Sequence, residues 1–243
     1  MSRRPWWIEH WQTCGVSVTG PKHESEGLPN QDAWGRFSGQ FGAGVVVSDG
    51  MGSKPHSDFG SKAACVAVAQ AVRIWSKERA ATDEHLLRLI HNLWNMKVQM
   101  FGTRACAATC LFALVLPSNQ ILLAQLGDGL ALIHTKKRGI ETITPDREGF
   151  ANETTALGVA SRVEEWQIQR FQASSSTMLM LATDGIADDI EDLPEFIHYL
   201  KKQFRSSSPQ ARVAHLRTFF QNWPRPYHSD DKTLAVMWTR GRR

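Results

Sequence analysis

Three apolar runs in this chain each lead into an aspartate followed by a glycine, and this repeated pattern limits how the chain can fold. The pairs are Asp49-Gly50, Asp128-Gly129 and Asp184-Gly185. Short apolar runs are typical of buried strands, and Asp and Gly are typical of the turns that end them. The pattern therefore predicts buried strands that carry carboxylates at their ends.

Hydrophobic periodicity predicts the other elements in blocks. Strands are predicted at residues 14–19, 33–37, 44–48, 107–116, 120–126, 130–135, 163–171, 177–182 and 233–239. Helices are predicted from residue 58, from residue 84, and over residues 193–204 and 209–220. This order lacks the strict strand–helix alternation of a Rossmann-type fold and fits stacked sheets covered by helices. Because no repeat or long linker interrupts it, we expect one domain over residues 1–243.

The composition excludes several classes of protein. Hydrophobic residues make up 42% of the chain, and with 18 glycines they reach the usual globular share, which excludes a disordered chain. No apolar run approaches the roughly 20 residues that span a bilayer, and none near the start is long enough for a secretory signal, so we expect a cytoplasmic protein without a membrane partner. The net charge is only +4, and a basic cluster is formed by Arg240-Gly241-Arg242-Arg243. Since no aromatic and basic stripe accompanies this cluster, we expect no nucleic-acid partner.

The aspartates allow two interpretations. Asp-Gly is the commonest tight hairpin turn, and this interpretation is strong for Asp128, which has apolar strands on both sides. After Asp49 and Asp184 no strand returns at once, so their carboxylates could instead converge at one point. Carboxylates that converge repel one another unless cations lie between them, and oxygen ligands without nearby His or Cys favour Mg²⁺ or Mn²⁺ over zinc. The pattern alone leaves turns and a metal cluster equally open.

Five short motifs follow one another in a fixed order. They are Asn30-Gln31-Asp32-Ala33, Ser48-Asp49-Gly50-Met51-Gly52, Gly127-Asp128-Gly129, Ala182-Thr183-Asp184-Gly185 and Asp230-Asp231-Lys232-Thr233. Their order and spacing resemble those of the type 2C metal-dependent protein phosphatases, most closely the compact bacterial members. Residues 102–107 resemble the family's glycine-threonine strand start, and residues 152–158 resemble the segment near its flap. The similarity spans about residues 14–238.

The resemblance implies a fold and an activity. The fold is α+β, a four-layer αββα sandwich in which helix pairs flank two stacked antiparallel sheets. The activity is that of a metal-dependent protein serine/threonine phosphatase, which hydrolyses phosphomonoesters by metal-activated water. The implied partner is a phosphorylated protein, either a partner kinase or its targets.

The resemblance also implies roles for single residues. Asp49 would bridge two Mn²⁺ or Mg²⁺ ions, and the carbonyl of Gly50 would bind one of them. Asp184 and Asp230 would hold the other ion, and Asp32 would bind or position metal-bound water. Asp128, together with Asp184, would bind a third and looser ion. Asp231 stands where the family often has Asn.

One departure from the family concerns the substrate's phosphate. The arginine that normally binds it would stand at position 27, which is Gly27 here. Lys22 and His23 are the nearest basic residues, and we expect the loop over residues 20–29 to fold back so that one of them, His23 slightly favoured, binds phosphate. The missing arginine leaves open a non-catalytic binding module with the phosphatase fold, although the intact aspartate set argues against it. A small-molecule metal phosphohydrolase is the other alternative.

Overall fold

Ten strands of the described chain form two antiparallel sheets of five strands each. The computed structural model describes residues 10–78, 80–143, 155–159, 162–206, 208–225 and 228–239. The strands are β1 (Trp11–Val18), β2 (Ala33–Gly39), β3 (Gly42–Ser48), β4 (Cys110–Val115), β5 (Gln120–Leu126), β6 (Leu130–Thr135), β7 (Gly139–Ile143), β8 (Gln167–Gln172), β9 (Met178–Ala182) and β10 (Lys232–Thr239). The first sheet has the order β1-β10-β9-β6-β7, and the second has the order β2-β3-β4-β5-β8.

Six helices of the described residues accompany the sheets. They are α1 (Pro21–Glu26), α2 (Ser57–Trp75), α3 (Asp83–Val98), α4 (Asp184–Ala187), α5 (Leu193–Ser206) and α6 (Pro209–Gln221), with 3₁₀ turns at Thr103–Cys106 and Val163–Glu165. Side chains of Thr82 and Ser208 cap the starts of α3 and α6. None of these helices combines the length and the apolar character needed to cross a membrane.

Three buried hydrophobic clusters separate four layers. Along β3, Val45 and Val47 face the first sheet, whereas Val46 between them faces α2 and α3. Successive residues of a strand point to opposite faces, so one continuous apolar run serves two interfaces. The third cluster lies between the first sheet and the pair α5 and α6. The predicted αββα sandwich is therefore confirmed.

The structure corrects several predicted boundaries. The predicted loop over residues 20–29 contains α1, because Pro21 suits the first turn of a helix and Gly27 ends the helix in the left-handed conformation, with φ of 65°. Strand β7 was not predicted. The strands predicted from residues 107 and 163 begin only at Cys110 and Gln167, after 3₁₀ turns. The predicted flap residues 152–154 and the basic cluster at residues 240–243 lie outside the described residues.

Candidate metal centre

Strand register places four of the predicted carboxylates at one end of the two sheets. In the second sheet Ala33 pairs with Ser48, so Asp32 and Asp49 stand directly beyond this pair. In the first sheet Ala182 of β9 pairs with Leu234 of β10, so Asp184 and Asp230 lie beyond the same end of these strands. The hydroxyl of Thr183 donates to the Asp32 carboxylate at 2.8 Å and joins the two sheets there.

The carboxyl group of Asp49 lies among three others. Burial raises its pKa well above the usual value, and the charges of Asp32, Asp184 and Asp230 raise it further, together with a hydrogen bond to Asp184. The raised pKa shows that the ionised form of Asp49 is unfavourable beside its neighbours.

Two further carboxyl groups show the same effect. Asp32 is only 5% exposed. Burial raises the pKa of Asp32 to about 7, although the hydrogen bond from Thr183 lowers it. Burial and the charge of Asp184 also raise the pKa of Asp230. Among the described residues, no Lys or Arg side chain forms an ion pair with any of the four carboxylates. The cluster therefore brings carboxyl groups together with no Lys or Arg ion pair to any of them within the described part of the chain.

The backbone around Asp49 and Gly50 is fixed by neighbouring loops. Thr109 Oγ1 accepts a hydrogen bond from the Asp49 N–H at 2.9 Å, and the Thr109 N–H donates to the Asp49 carbonyl at 2.8 Å. A Cβ at Gly50 would lie 2.5 Å from the Ser57 carbonyl oxygen and 2.8 Å from that of Gln31. Only glycine fits this position.

The donor set of the cluster fits divalent cations. Carboxylates and a backbone carbonyl are the oxygen ligands that Mg²⁺ and Mn²⁺ prefer. As they stand, however, no three His, Cys, Asp or Glu side chains of the described residues surround one point closely enough to hold an ion. Metal binding would therefore require the carboxylates to rotate, and the predicted ligand roles stay predictions.

Asp128 occupies a turn that joins the two sheets. Strand β5 belongs to the second sheet and β6 to the first, so the hairpin interpretation of Asp128-Gly129 is wrong. The flanking Gly127 and Gly129 have φ of 93° and 99°, a conformation that favours glycine. A Cβ at Gly129 would lie 2.7 Å from the Ala182 carbonyl oxygen, two residues before Asp184. The exposed Asp128 thus stands beside the Asp184 end of β9.

The two predicted phosphate-binding residues have different surroundings. The side chain of His23 is 10% exposed, and its Nδ1 lies 2.9 Å from Asp231 Oδ2, so only Nε2 is left for another partner. Lys22 is exposed, and its backbone N–H donates to the Ser229 carbonyl at 3.1 Å, next to Asp230. A Cβ at Gly27, the position of the missing arginine, would meet no atom within 4 Å. The phosphate-binding role of either residue stays a prediction.

Sequence reasoning missed a buried lysine at the edge of the cluster. Lys232 is 1% exposed, and its Nζ donates to the Asp230 carbonyl at 2.8 Å. Burial lowers its pKa, whereas the nearby carboxylates, Asp189 first, raise it. Lys232 lies inside the last of the five sequence motifs, and this position is the signal that could have pointed to it.

Comparisons with known proteins agree with this fold. A family model described as protein phosphatase 2C matches residues 19–221. A sequence search of curated proteins finds no match. Among solved structures, a bacterial serine phosphatase is similar, with a TM-score of 0.67 and 20% identity over 96% of this chain and 100% of that chain.

Two further solved structures contain metal ions. The catalytic domain of the serine threonine protein phosphatase PstP, in complex with two manganese ions, has a TM-score of 0.61 and 17% identity over 94% of this chain and 98% of that chain. RsbX in complex with magnesium has a TM-score of 0.60 and 13% identity over 95% of this chain and 96% of that chain. At these identities the likeness shows the fold. Because the family model covers well over half of the chain, the chain belongs to the protein phosphatase 2C family.

Proposed function

We propose that this protein hydrolyses phosphoserine and phosphothreonine in cytoplasmic phosphoproteins, the targets of a partner kinase, with Mn²⁺ or Mg²⁺ as cofactor. The observation that carries the proposal is the convergence of Asp32, Asp49, Asp184 and Asp230 at one end of both sheets, with no Lys or Arg ion pair to any of them among the described residues. Family membership supports the reaction class. The magnesium in RsbX and the manganese ions in PstP support the choice of metals.

The proposed ligands would be shared between two ions. Asp49, which adjoins all three other carboxylates, is the proposed bridging ligand, and the Gly50 carbonyl would complete one site. Asp184 and Asp230 would hold the second ion, and Asp128 with Asp184 would hold a third, looser one. When bound, such ions lower the pKa of a water molecule and neutralise charge on the phosphoryl group.

Residues of the chain itself orient the reactants. Thr183 holds the Asp32 carboxylate at 2.8 Å, so Asp32 can position the attacking water by accepting its hydrogen bond. Lys22 is the more exposed of the two predicted phosphate-binding residues, and we assign the phosphate contact to it.

The cysteines support direct attack by water. Burial raises the pKa of Cys65 to about 12 and that of Cys110 well above its usual value, and it also raises the pKa of Cys14 and Cys106. A thiol is a nucleophile only when it is ionised, so these side chains are poor candidates for a phospho-enzyme intermediate.

The test is hydrolysis of a phosphothreonine peptide and of p-nitrophenyl phosphate, each with Mn²⁺, with Mg²⁺ and with EDTA. We expect metal-dependent phosphate release from both, and a phosphotyrosine peptide measures the selectivity of the site. Release from p-nitrophenyl phosphate alone would favour a small-molecule phosphohydrolase. If the protein binds Mn²⁺ but releases phosphate from neither substrate, the open position at Gly27 favours a binding module.

A further inference from the structure

The buried carboxylate of Asp231 contacts the segment of residues 20–31, which precedes Asp32. Asp231 is 2% exposed and accepts three hydrogen bonds from this segment. The Gly20 N–H donates to Oδ1 at 2.7 Å, the Gln31 N–H donates to Oδ2 at 2.6 Å, and His23 Nδ1 lies 2.9 Å from Oδ2. The donors come from both ends of the segment and from α1 between them.

This arrangement requires an aspartate at position 231. Three N–H groups point at two oxygens, and a carboxylate offers acceptors only. An Asn, which the family often has here, would turn an NH₂ group toward an N–H donor on one side. His23 must in turn carry its proton on Nδ1 to donate to Asp231. The two residues are therefore complementary, and 208 positions of sequence separate them.

A second set of hydrogen bonds connects this segment to the candidate metal centre. The Gln31 peptide, whose N–H is held by Asp231, uses its carbonyl to accept the Gly50 N–H at 3.1 Å. Asn30 Oδ1 accepts the Asp32 N–H at 2.8 Å. Thus Asp231 holds the Gln31 peptide, Gln31 holds the start of the Gly50 turn, and the adjoining Asn30 holds Asp32.

We propose that Asp231 and His23 are positioning residues, which set the approach of Asp32 and of the Gly50 carbonyl to the metal ions, and that His23 does not bind the substrate's phosphate. The proposal rests on the metal-dependent function proposed above. Neither residue needs to touch an ion or the substrate. Partners of this kind outside the ligand set typically change metal affinity 10- to 100-fold when they are replaced.

Two variants each alter one partner of the contact between His23 and Asp231. Asp231→Asn keeps the size of the side chain and removes one acceptor oxygen, and His23→Gln removes the imidazole ring. His91→Gln is the matched control, because His91 Nε2 also has one partner, Trp166 Nε1 at 2.9 Å, but lies in the outer helix layer on α3. Mn²⁺ affinity is measured by calorimetry on metal-free protein, and hydrogen exchange reports the Gln31 and Gly50 amides.

We expect Asp231→Asn and His23→Gln to weaken Mn²⁺ binding by about tenfold and to speed exchange at Gln31 and Gly50. The KM for phosphopeptide at saturating Mn²⁺ should stay within about twofold. The double variant should lose no more than Asp231→Asn alone, because both changes break one contact. His91→Gln should lower the thermal midpoint and leave Mn²⁺ affinity unchanged.

The proposal would be overturned if Asp231→Asn bound Mn²⁺ as tightly as the wild type and its Gln31 and Gly50 amides exchanged at the wild-type rates. A raised KM with unchanged Mn²⁺ affinity in His23→Gln would return His23 to the phosphate. If Asp231→Asn does not fold, His23→Gln decides alone, since it removes only one of the three contacts to Asp231. Failure of the wild-type protein to hydrolyse phosphopeptide would refute the proposed function separately, because calorimetry and exchange do not depend on turnover.

Discussion

The Thr183 hydroxyl donates a hydrogen bond to the Asp32 carboxylate at 2.8 Å, and this bond joins the two sheets at the carboxylate cluster. Thr183 Oγ1 also accepts the Thr233 N–H at 3.1 Å, so the hydroxyl is fixed by β10 as well. The bond favours the ionised form of Asp32, which lowers a pKa that burial has raised.

Replacement of this hydroxyl should shift the pH profile of Mn²⁺ binding. Thr183→Val keeps the shape of the side chain and removes the donor, so the pKa of Asp32 should rise above about 7. We expect the pH at which Mn²⁺ affinity is lost to move to higher pH, because Mn²⁺ binds the ionised carboxylate. Thr183→Ser keeps the donor and should retain the wild-type profile. Identical profiles for the Val and Ser variants would show that the bond has no role in titration.

Removal of single charges from the cluster should separate activity from stability. Asp49→Asn and Asp184→Asn should reduce kcat to below a few per cent of wild type, because each removes a proposed metal ligand. Both should raise the thermal midpoint of the metal-free protein, since repulsion with neighbouring carboxylates is relieved. Glu84→Gln, at an exposed pair with Arg88, should change neither quantity appreciably. Substantial turnover in either Asn variant would contradict the metal assignment.

The stability of the metal-free protein should fall as pH rises. Asp32 has a pKa of about 7 in the folded state against an ordinary value of 3.8, so its contribution to stability is fully present below about 3.8 and is lost as pH rises through about 7. We expect a lower thermal midpoint at pH 8 than at pH 6 in EDTA, and a smaller difference with Mn²⁺. Asp32→Asn should flatten the dependence in EDTA, and an unchanged slope in that variant would assign the effect elsewhere.

Gly50 and Gly52, the two glycines after Asp49, should differ in how well they tolerate substitution by alanine. At Gly50 a Cβ would lie 2.5 Å from the Ser57 carbonyl oxygen, so Gly50→Ala should cost about 1–3 kcal/mol of stability and weaken Mn²⁺ binding. At Gly52 the nearest atom is Gln31 Oε1 at 3.7 Å, an ordinary contact. Gly52→Ala should therefore behave like wild type in thermal unfolding and in calorimetry. Equal effects of the two substitutions would mean that the loop adapts to both.

Replacement of Asp128 should show whether a third metal ion takes part in catalysis. Asp128→Ala should raise the Mn²⁺ concentration for half-maximal activity or slow kcat, because Asp128 stands beside the Asp184 end of β9. The thermal midpoint of the metal-free protein should change little, since the side chain is exposed. The measurement is a Mn²⁺ titration of activity together with a thermal scan in EDTA. Loss of stability alone would mean that Asp128 serves only the turn.

The main layers and the carboxylate positions could be predicted because they depend on local signals. Apolar runs such as 44–48 and 177–182 mark buried strands, and antiparallel register brings their ends together. The turn at Asp128 was harder, because flanking strands do not reveal which sheet each one joins. Strand β7 lies at a sheet edge, where the hydrophobic pattern is weak.

The segment before Asp32 could not be predicted for a different reason. Helix α1 has six residues, too few to show a helical period, and it depends on Pro21 and Gly27 at its ends. The contact that anchors it joins His23 to Asp231, and no local pattern reports a pairing over such a separation. Sequence therefore identified the carboxylates but not what orients them.

The position of β10 makes the first sheet depend on strands that lie far apart along the described chain. This strand is the last one described, yet it lies between β1, the first, and β9. A nascent chain that lacks it leaves β1 without a partner in the sheet, and also lacks Asp230 and Asp231 immediately before the strand. Pairing of strands so distant along the chain is slow, and unpaired edges invite aggregation. Closure of this sheet and assembly of the complete carboxylate cluster therefore both require the residues from Asp230 to Thr239.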